Sequence, residues 1–66
     1  MGFVYLVCDE SGVRGIFRQE ASALAKVMEI AKNDYDIDTN LTPFDFSSPW
    51  RCGYDIVYWK KEILND

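Results

Sequence analysis

Residues 3–18, FVYLVCDESGVRGIFR, carry the clearest structural signal in the chain. The first six are β-branched, aromatic or aliphatic, which is typical of a buried strand. Asp9 to Gly12 supply turn-forming residues, and Gly12 tolerates a positive φ. Residues 13–18 return to strand composition, and Gly15 among them indicates a bulge or a close backbone approach. The stretch predicts a β-hairpin.

Residues 19–33 predict a helix, because they are rich in strong helix formers and contain no Gly or Pro. Glu20 in the first turn and Lys32 in the last match the helix dipole, and Asn33 is a suitable C-terminal stop. Ile30 is expected to pack under the following loop. The stripe predicted to face the sheet is Ala21, Leu24, Val27, Met28 and Ala31.

Residues 34–50 predict a long ordered connection with a short strand near 44–46, and residues 54–63 predict the last strand. A strand-helix-strand crossover favours a right-handed connection, which sets the last strand parallel to the second and the first between them. The chain is therefore expected to be one small domain, residues 1–66, of the α+β class. Its predicted architecture is a three-stranded, mainly antiparallel sheet in the order 2-1-3, with one helix packed on one face.

The block from VYLV (4–7) through GIF (15–17) into an alanine-bearing helix resembles a loose class of small phage and bacterial β-β-α-β proteins. The resemblance covers roughly the first half of the chain. It implies a phage-encoded viral protein that inhibits a host enzyme or defence factor in the host cytoplasm. It assigns no role to any individual residue.

The net charge of −4 and the scattered basic residues disfavour nucleic acid and anionic membranes as direct partners. No apolar stretch approaches the ~20 residues of a membrane span, and the apolar N-terminal run lacks the basic lead of a signal peptide, so a cytoplasmic location is expected. The chain has no His and no phosphate-binding loop, which predicts that it is not an enzyme and has no cofactor. Cys8 and Cys52 would be close if their strands are antiparallel neighbours, but reduced, buried thiols are the favoured interpretation.

Residues 34–45 follow the helix in the manner of a calcium loop, with acids at positions 1, 3, 5 and 12. Thr39 stands where such loops need Gly, and the last acid is Asp45 instead of a bidentate Glu. The segment therefore predicts a solvated acidic loop without a metal, and a stand-alone calcium site is the third functional hypothesis.

The first strand is apolar on both faces, and one helix covers only one of them. Either residues 40–50 fold over the second face with their aromatic side chains, or that face is exposed for a partner or a second copy. One of the two faces is Val4, Leu6 and Cys8, and the other is Phe3, Tyr5 and Val7.

The leading functional hypothesis is an acidic protein-binding module, of the inhibitor or adaptor type, whose partner presents a basic surface. The alternative is a homodimer that sequesters or senses a small ligand, formed through the uncovered sheet face. Residues 34–50 contain no Lys or Arg, and their aromatic side chains are of the types that anchor interfaces. The predicted contact residues are Asp34, Tyr35, Asp36, Asp38, Phe44, Asp45, Phe46 and Trp50.

Overall fold

A β-hairpin opens the fold and a helix follows it, as the sequence predicts. The structure, a computed structural model, describes residues 2–46 and 49–64. Its elements are strands β1 (Gly2–Asp9) and β2 (Gly12–Phe17), helix α1 (Glu20–Tyr35), and strands β3 (Phe44–Asp45), β4 (Arg51–Gly53) and β5 (Tyr58–Leu64).

The strands form one antiparallel sheet in the order β2-β1-β5-β4-β3. The α+β class, the hairpin and the place of the first strand between the second and the last are confirmed. The expected count of three strands is wrong, because the sheet has five. Strand β3 confirms the short strand near residue 44. Strand β4 was not predicted, because three residues are too few to show a period-2 pattern.

The turn between β4 and β5 replaces part of the predicted last strand, which begins at Tyr58 and not at residue 54. The N–H of Tyr54 donates to the carbonyl of Val57 at 2.7 Å and closes this turn. Gly53 enters it with φ +147°, and a Cβ there would lie 2.5 Å from the Cα of Tyr58. Only glycine fits such a close approach of two backbones.

A β-bulge interrupts the pairing of β1 with β2, which confirms the interpretation of Gly15. Val7 pairs with Gly15 and Cys8 pairs with Val13, so Arg14 is the extra residue on β2. A bulge of this kind changes the direction of a side chain.

Helix α1 covers the sheet face that carries Tyr5 and Val7. Its buried residues recur at helical spacing: Ala23, Val27, Ile30 and Ala31. This differs from the predicted stripe, since Ala21 is exposed, Leu24 and Met28 are only half-buried, and Ile30 belongs to the core. The apolar residues of α1 span more than one stripe, so composition alone did not fix the rotation of the helix about its axis.

The core lies between α1 and this face. Val7, Val27 and Val57 are fully buried, and Trp59 packs among them with its ring 4.9 Å from that of Tyr5. The indole N–H of Trp59 is buried with no hydrogen-bond partner in the described part of the chain. No helix in the described residues is long and apolar enough to cross a membrane.

Candidate functional site

Acidic side chains gather where α1 ends, beside the β1–β2 turn and the β4–β5 turn. We call this region the acidic end and define it as Glu10, Asp34, Asp36, Asp38 and Asp55. Arg14 of β2 contacts Asp34 at the end of α1, and the hydroxyl of Tyr54 in the β4–β5 turn donates to the carbonyl of Leu41 at 3.1 Å.

Arg14, the bulged residue of β2, binds two carboxylates at the acidic end. One of its guanidinium nitrogens contacts Oδ2 of Asp9, and the same nitrogen lies 3.0 Å from Oδ2 of Asp34. Residues 34–50 contain no Lys or Arg, but Asp34 has a basic partner from elsewhere in the chain. This partner is remote in sequence and is the bulged residue of β2.

Asp9 is the buried centre of this ion-pair cluster. Burial alone would raise the pKa of Asp9. The N–H of Ser11 at 2.7 Å, the guanidinium of Arg14 and the hydroxyl of Tyr35 bind the charged form and lower it overall. Tyr35 is half-buried against the core, and burial followed by its bond to Asp9 raises the pKa of its hydroxyl. Asp9 and Tyr35 therefore help to hold the end of α1 on the sheet.

Asp36 and Asp38 shape the chain after the helix. Asp36 adopts the left-handed conformation, with φ 52°, and the N–H of Ile37 then donates to the carbonyl of Ala31 at 2.9 Å. Oδ1 of Asp38 accepts the N–H of Asn40 at 2.9 Å, which forms an Asx turn. A shallow pocket of about 270 Å³ lies here, lined by Lys32, Asp36, Ile37, Asp38, Thr39 and Asn40.

The predicted contact residues occupy different regions of the molecule. Asp34, Tyr35, Asp36 and Asp38 lie at the helix end, whereas Phe44 and Phe46 lie on the sheet face opposite α1. Asp45 pairs with Cys52 on the helix side of the sheet. Trp50 is on that side too, where its ring lies 6.0 Å from that of Phe3 and 5.4 Å from Nζ of Lys61. Sequence proximity within residues 34–50 thus did not predict a single continuous surface.

The face opposite α1 is apolar and largely uncovered. We call it the open face. Because directly paired strand residues share a side, the register assigns its members. They are Val4, Leu6, Cys8, Val13, Ile16, Phe44, Arg51, Tyr58, Lys60, Glu62 and Leu64, with Phe46 beside Phe44. Val13 is 58% exposed, Ile16 64% and Phe44 50%. The alternative in which residues 40–50 fold over this face is not what the structure shows, because β3 extends the sheet sideways.

An aromatic cluster with a cation lies on the open face. The rings of Phe44 and Phe46 are 5.2 Å apart, and those of Phe46 and Tyr58 are 5.6 Å apart. The guanidinium carbon of Arg51 lies 5.0 Å from the ring of Phe46 and 4.5 Å from that of Tyr58. Sequence reasoning missed Arg51, Tyr58, Val13 and Ile16 as surface candidates. The alternation of Val13 and Ile16 was hidden by the bulge, which shifts their spacing from two residues to three.

The two cysteines are free and lie on opposite sides of the sheet. Cys8 pairs with Tyr58 on the open face, whereas Cys52 pairs with Trp59 on the helix side. Burial raises the pKa of the Cys8 thiol despite the nearby cations Lys60 and Arg51. Burial and then Asp45 raise that of Cys52. Both thiols are therefore protonated and weakly reactive at neutral pH.

Metal-binding groups do not converge within the described ranges. No three side chains of the His, Cys, Asp or Glu type in residues 2–46 and 49–64 are placed to hold an ion. Asp34 binds Arg14, whereas Asp45 lies on β3. The first and last acids considered for a calcium loop therefore lie in different parts of the fold.

Comparison with known proteins adds no assignment. No protein-family model matches the chain, and no curated protein or solved structure is similar to it. The functional proposal therefore depends on the surface itself.

Proposed function

We propose that this chain is a small acidic protein-binding module that contacts its partner through the open face of its sheet. The observation that carries the proposal is the exposure of Val13, Ile16 and Phe44 on the sheet face opposite α1, whereas α1 buries Val7 and Trp59 on the other face. Contiguous exposed apolar surface on a small protein marks interaction sites.

The side chains on this face are of the types that dominate binding energy. Arg51, Tyr58 and Phe46 form one packed cluster, and Tyr and Arg are enriched at the centres of interfaces. Arg51 and Tyr58 lie on paired strands, and Phe46 directly follows β3. A surface that is ordered before binding loses less conformational entropy when a partner binds.

The acidic end places negative charge along one edge of the open face. Glu10 and Asp55 lie in the turns that border the Val13 and Tyr58 row, and Asp36 and Asp38 extend the negative region. Charge at the rim of an interface speeds association with an opposite charge. The proposed partner is thus a protein with an apolar patch beside a basic region, as in the basic groove of a host enzyme or defence factor. In this proposal the module acts as an inhibitor or adaptor.

A homodimer that sequesters or senses a small ligand is the second candidate. The same exposed residues favour it, because a second copy placed on the open face would bury Val13 and Ile16. Sedimentation velocity separates the candidates. The dimer predicts a sedimentation coefficient that rises with concentration and stops rising in an Ile16→Glu variant.

The experiment for the proposed function is affinity capture with a matched pair of charged variants. Ile16→Glu places a carboxylate in the open face, and Ala25→Glu places one on the exposed outer side of α1. We expect the parent chain and Ala25→Glu to retain the same captured protein from a bacterial lysate, and Ile16→Glu to lose it. Equal capture by all three chains contradicts the open face as the contact surface.

A further inference from the structure

We propose that Arg51 is an anchor for a carboxylate, an Asp or Glu side chain that the protein partner inserts into the open face beside Lys60. This inference rests on the proposed function and names the chemistry of one contact in it. It starts from Arg51, whose guanidinium carbon lies over two aromatic rings, those of Phe46 and Tyr58, at 5.0 and 4.5 Å.

The rings of Phe46 and Tyr58 lie close enough to the guanidinium to attract its charge through their quadrupoles. An arginine side chain also carries five N–H donors. Those N–H groups form a planar fork that matches the two oxygens of a carboxylate. Arg51 can thus offer a carboxylate a bidentate contact beside two aromatic rings.

No carboxylate in the described part of the chain lies within salt-bridge distance of Arg51, although the chain is acidic overall. Arg14 shows the contrast, since it binds both Asp9 and Asp34. An arginine in an acidic protein that keeps its donors on an apolar face is suited to a carboxylate from outside.

Lys60 adds a second positive charge at the same place. It is the direct cross-strand neighbour of Arg51 on β5 and shares the open face. Its contact with the half-exposed Glu62 is long, 3.7 Å between Nζ and Oε1, and such surface pairs contribute little. An incoming carboxylate therefore meets two neighbouring cations on the same face.

A carboxylate fits this site better than a nucleic acid. Aromatic rings on a sheet also stack bases, but nucleic-acid platforms gain affinity from a row of cations along the phosphate backbone. Here Lys61 points to the helix side, where its Nζ lies 4.4 Å from the ring of Phe3, and the neighbouring end of the molecule is negative. Two cations on a face next to an acidic end favour a single carboxylate over a polyanion.

The test is an NMR titration of the labelled full chain with three probes. The first is a capped five-residue peptide with two glutamates, the second is the same peptide with glutamines, and the third is hexathymidylate. The signals followed are the Nε–Hε group of Arg51 and the ring of Tyr58. The variants are Arg51→Lys, which keeps the charge and loses the fork, and Arg18→Lys as the control on an exposed arginine.

We expect the glutamate peptide to shift both signals saturably, with a dissociation constant in roughly the millimolar range, and the glutamine peptide to shift neither. Arg51→Lys should weaken binding about tenfold, because a bidentate charge-assisted pair is lost. Arg18→Lys should bind like the parent chain. Tighter binding of hexathymidylate, shifts on dilution without any probe, or equal binding by Arg51→Lys would each overturn the inference.

These outcomes are separate from those of the proposed function. If Ile16→Glu loses the captured protein while Arg51→Lys retains both that protein and the peptide, the open face is the contact surface and the carboxylate inference is wrong. If Ile16→Glu still captures the protein, the proposed function is wrong, and the titration still decides whether Arg51 binds carboxylates.

Discussion

The two faces of the sheet have similar apolar content, but α1 packs on one of them and the other is exposed to solvent. On the helix side, Val7 and Trp59 pack against α1 and are almost fully buried. On the open face, Val13 and Ile16 belong to the same hairpin and remain more than half exposed. One 16-residue helix covers the centre of one face, and no helix covers the other within the described residues. The difference separates residues that stabilise the chain from residues available to a partner.

The largest expected difference in stability is between substitutions of two isoleucines, one on the buried side of α1 and one on the open face. Ile30 is 3% exposed and Ile16 is 64% exposed. Ile30→Ala should cost about 2–5 kcal/mol, because it leaves a cavity under α1. A domain of this size has roughly 3–5 kcal/mol of net stability, so this variant is expected to be largely unfolded. Circular dichroism during thermal unfolding measures the effect.

Ile16→Ala is the matched control for that comparison. It should cost less than about 1 kcal/mol, from strand propensity alone. Similar losses in the two variants would mean that the open face is covered in solution, either by a second copy or by residues of the chain itself. Repeating the measurement at two protein concentrations distinguishes these cases.

The turn that adds β4 to the sheet provides the next prediction. Gly53→Ala should destabilise the chain by about 1–3 kcal/mol, because φ +147° is strained for alanine and its Cβ would lie 2.5 Å from the Cα of Tyr58. Gly2→Ala is the control, since a Cβ there meets nothing within 4 Å. Because β4 carries Arg51, Gly53→Ala should also disturb the NMR signals of Phe46 and Tyr58. A variant as stable as the parent would contradict the close approach.

Residues with strong local signals were predicted, and residues placed by distant contacts were not. The hairpin and α1 follow from composition, turn residues and helix formers that act within a few positions. Strand β4 depends on Gly53 and on pairing with β5, which no local pattern records. The bulge at Arg14 was anticipated through Gly15, but its consequence was not. Arg14 reaches Asp34 across the fold and partly neutralises its charge.

The predicted contact residues lie together in the structure only where sequence neighbours share a face of the sheet or the end of α1. Phe44 and Phe46 share a face because they are two residues apart on extended chain. Asp45 between them faces the helix side for the same reason. Trp50 falls on that side because Arg51, the next residue, occupies the open face. The alternation of side chains along an extended strand places Asp45 on the opposite face from Phe44 and Phe46, and this can be derived from the sequence of residues 44–46.

The interactions of Asp9 that hold the end of α1 on the sheet predict that the stability of the fold decreases in acid. The pKa of Asp9 is lower in the folded chain than in the unfolded chain, despite the opposing effect of burial. Its contribution to stability is therefore present above the unfolded pKa of about 4 and is lost as pH falls through the folded pKa. Thermal unfolding midpoints should fall below about pH 4 in the parent chain. Asp9→Asn should lower the midpoint at pH 7 and flatten this decline.

Asp55→Asn is the control for the acid dependence, because Asp55 is exposed in the β4–β5 turn. It should follow the parent curve. If Asp9→Asn and the parent chain show the same slope between pH 5 and pH 2, the Arg14 cluster does not hold the helix end in solution.

The smallest expected effect is on the rate of association with the proposed partner, which the charges of the acidic end should increase. Replacing Asp36 and Asp38 by Asn removes two charges and preserves the local structure. Asparagine also tolerates the left-handed conformation of residue 36, and its side-chain oxygen still accepts the N–H of Asn40. Stability should therefore change by less than about 0.5 kcal/mol. Asp34 is left intact, since it binds Arg14.

Surface plasmon resonance of the captured protein, run at two salt concentrations, measures that rate. The double variant should associate severalfold more slowly at low salt, with a weaker salt dependence and an unchanged dissociation rate, because distant charges act on encounter and not on the formed contact. Truncation of Phe44 to Ala should do the reverse and speed dissociation. Glu20→Gln at the far end of α1 is the control and should leave both rates unchanged. If the acids serve only to keep an aromatic-rich chain soluble, the double variant will aggregate and its association rate will match that of the parent.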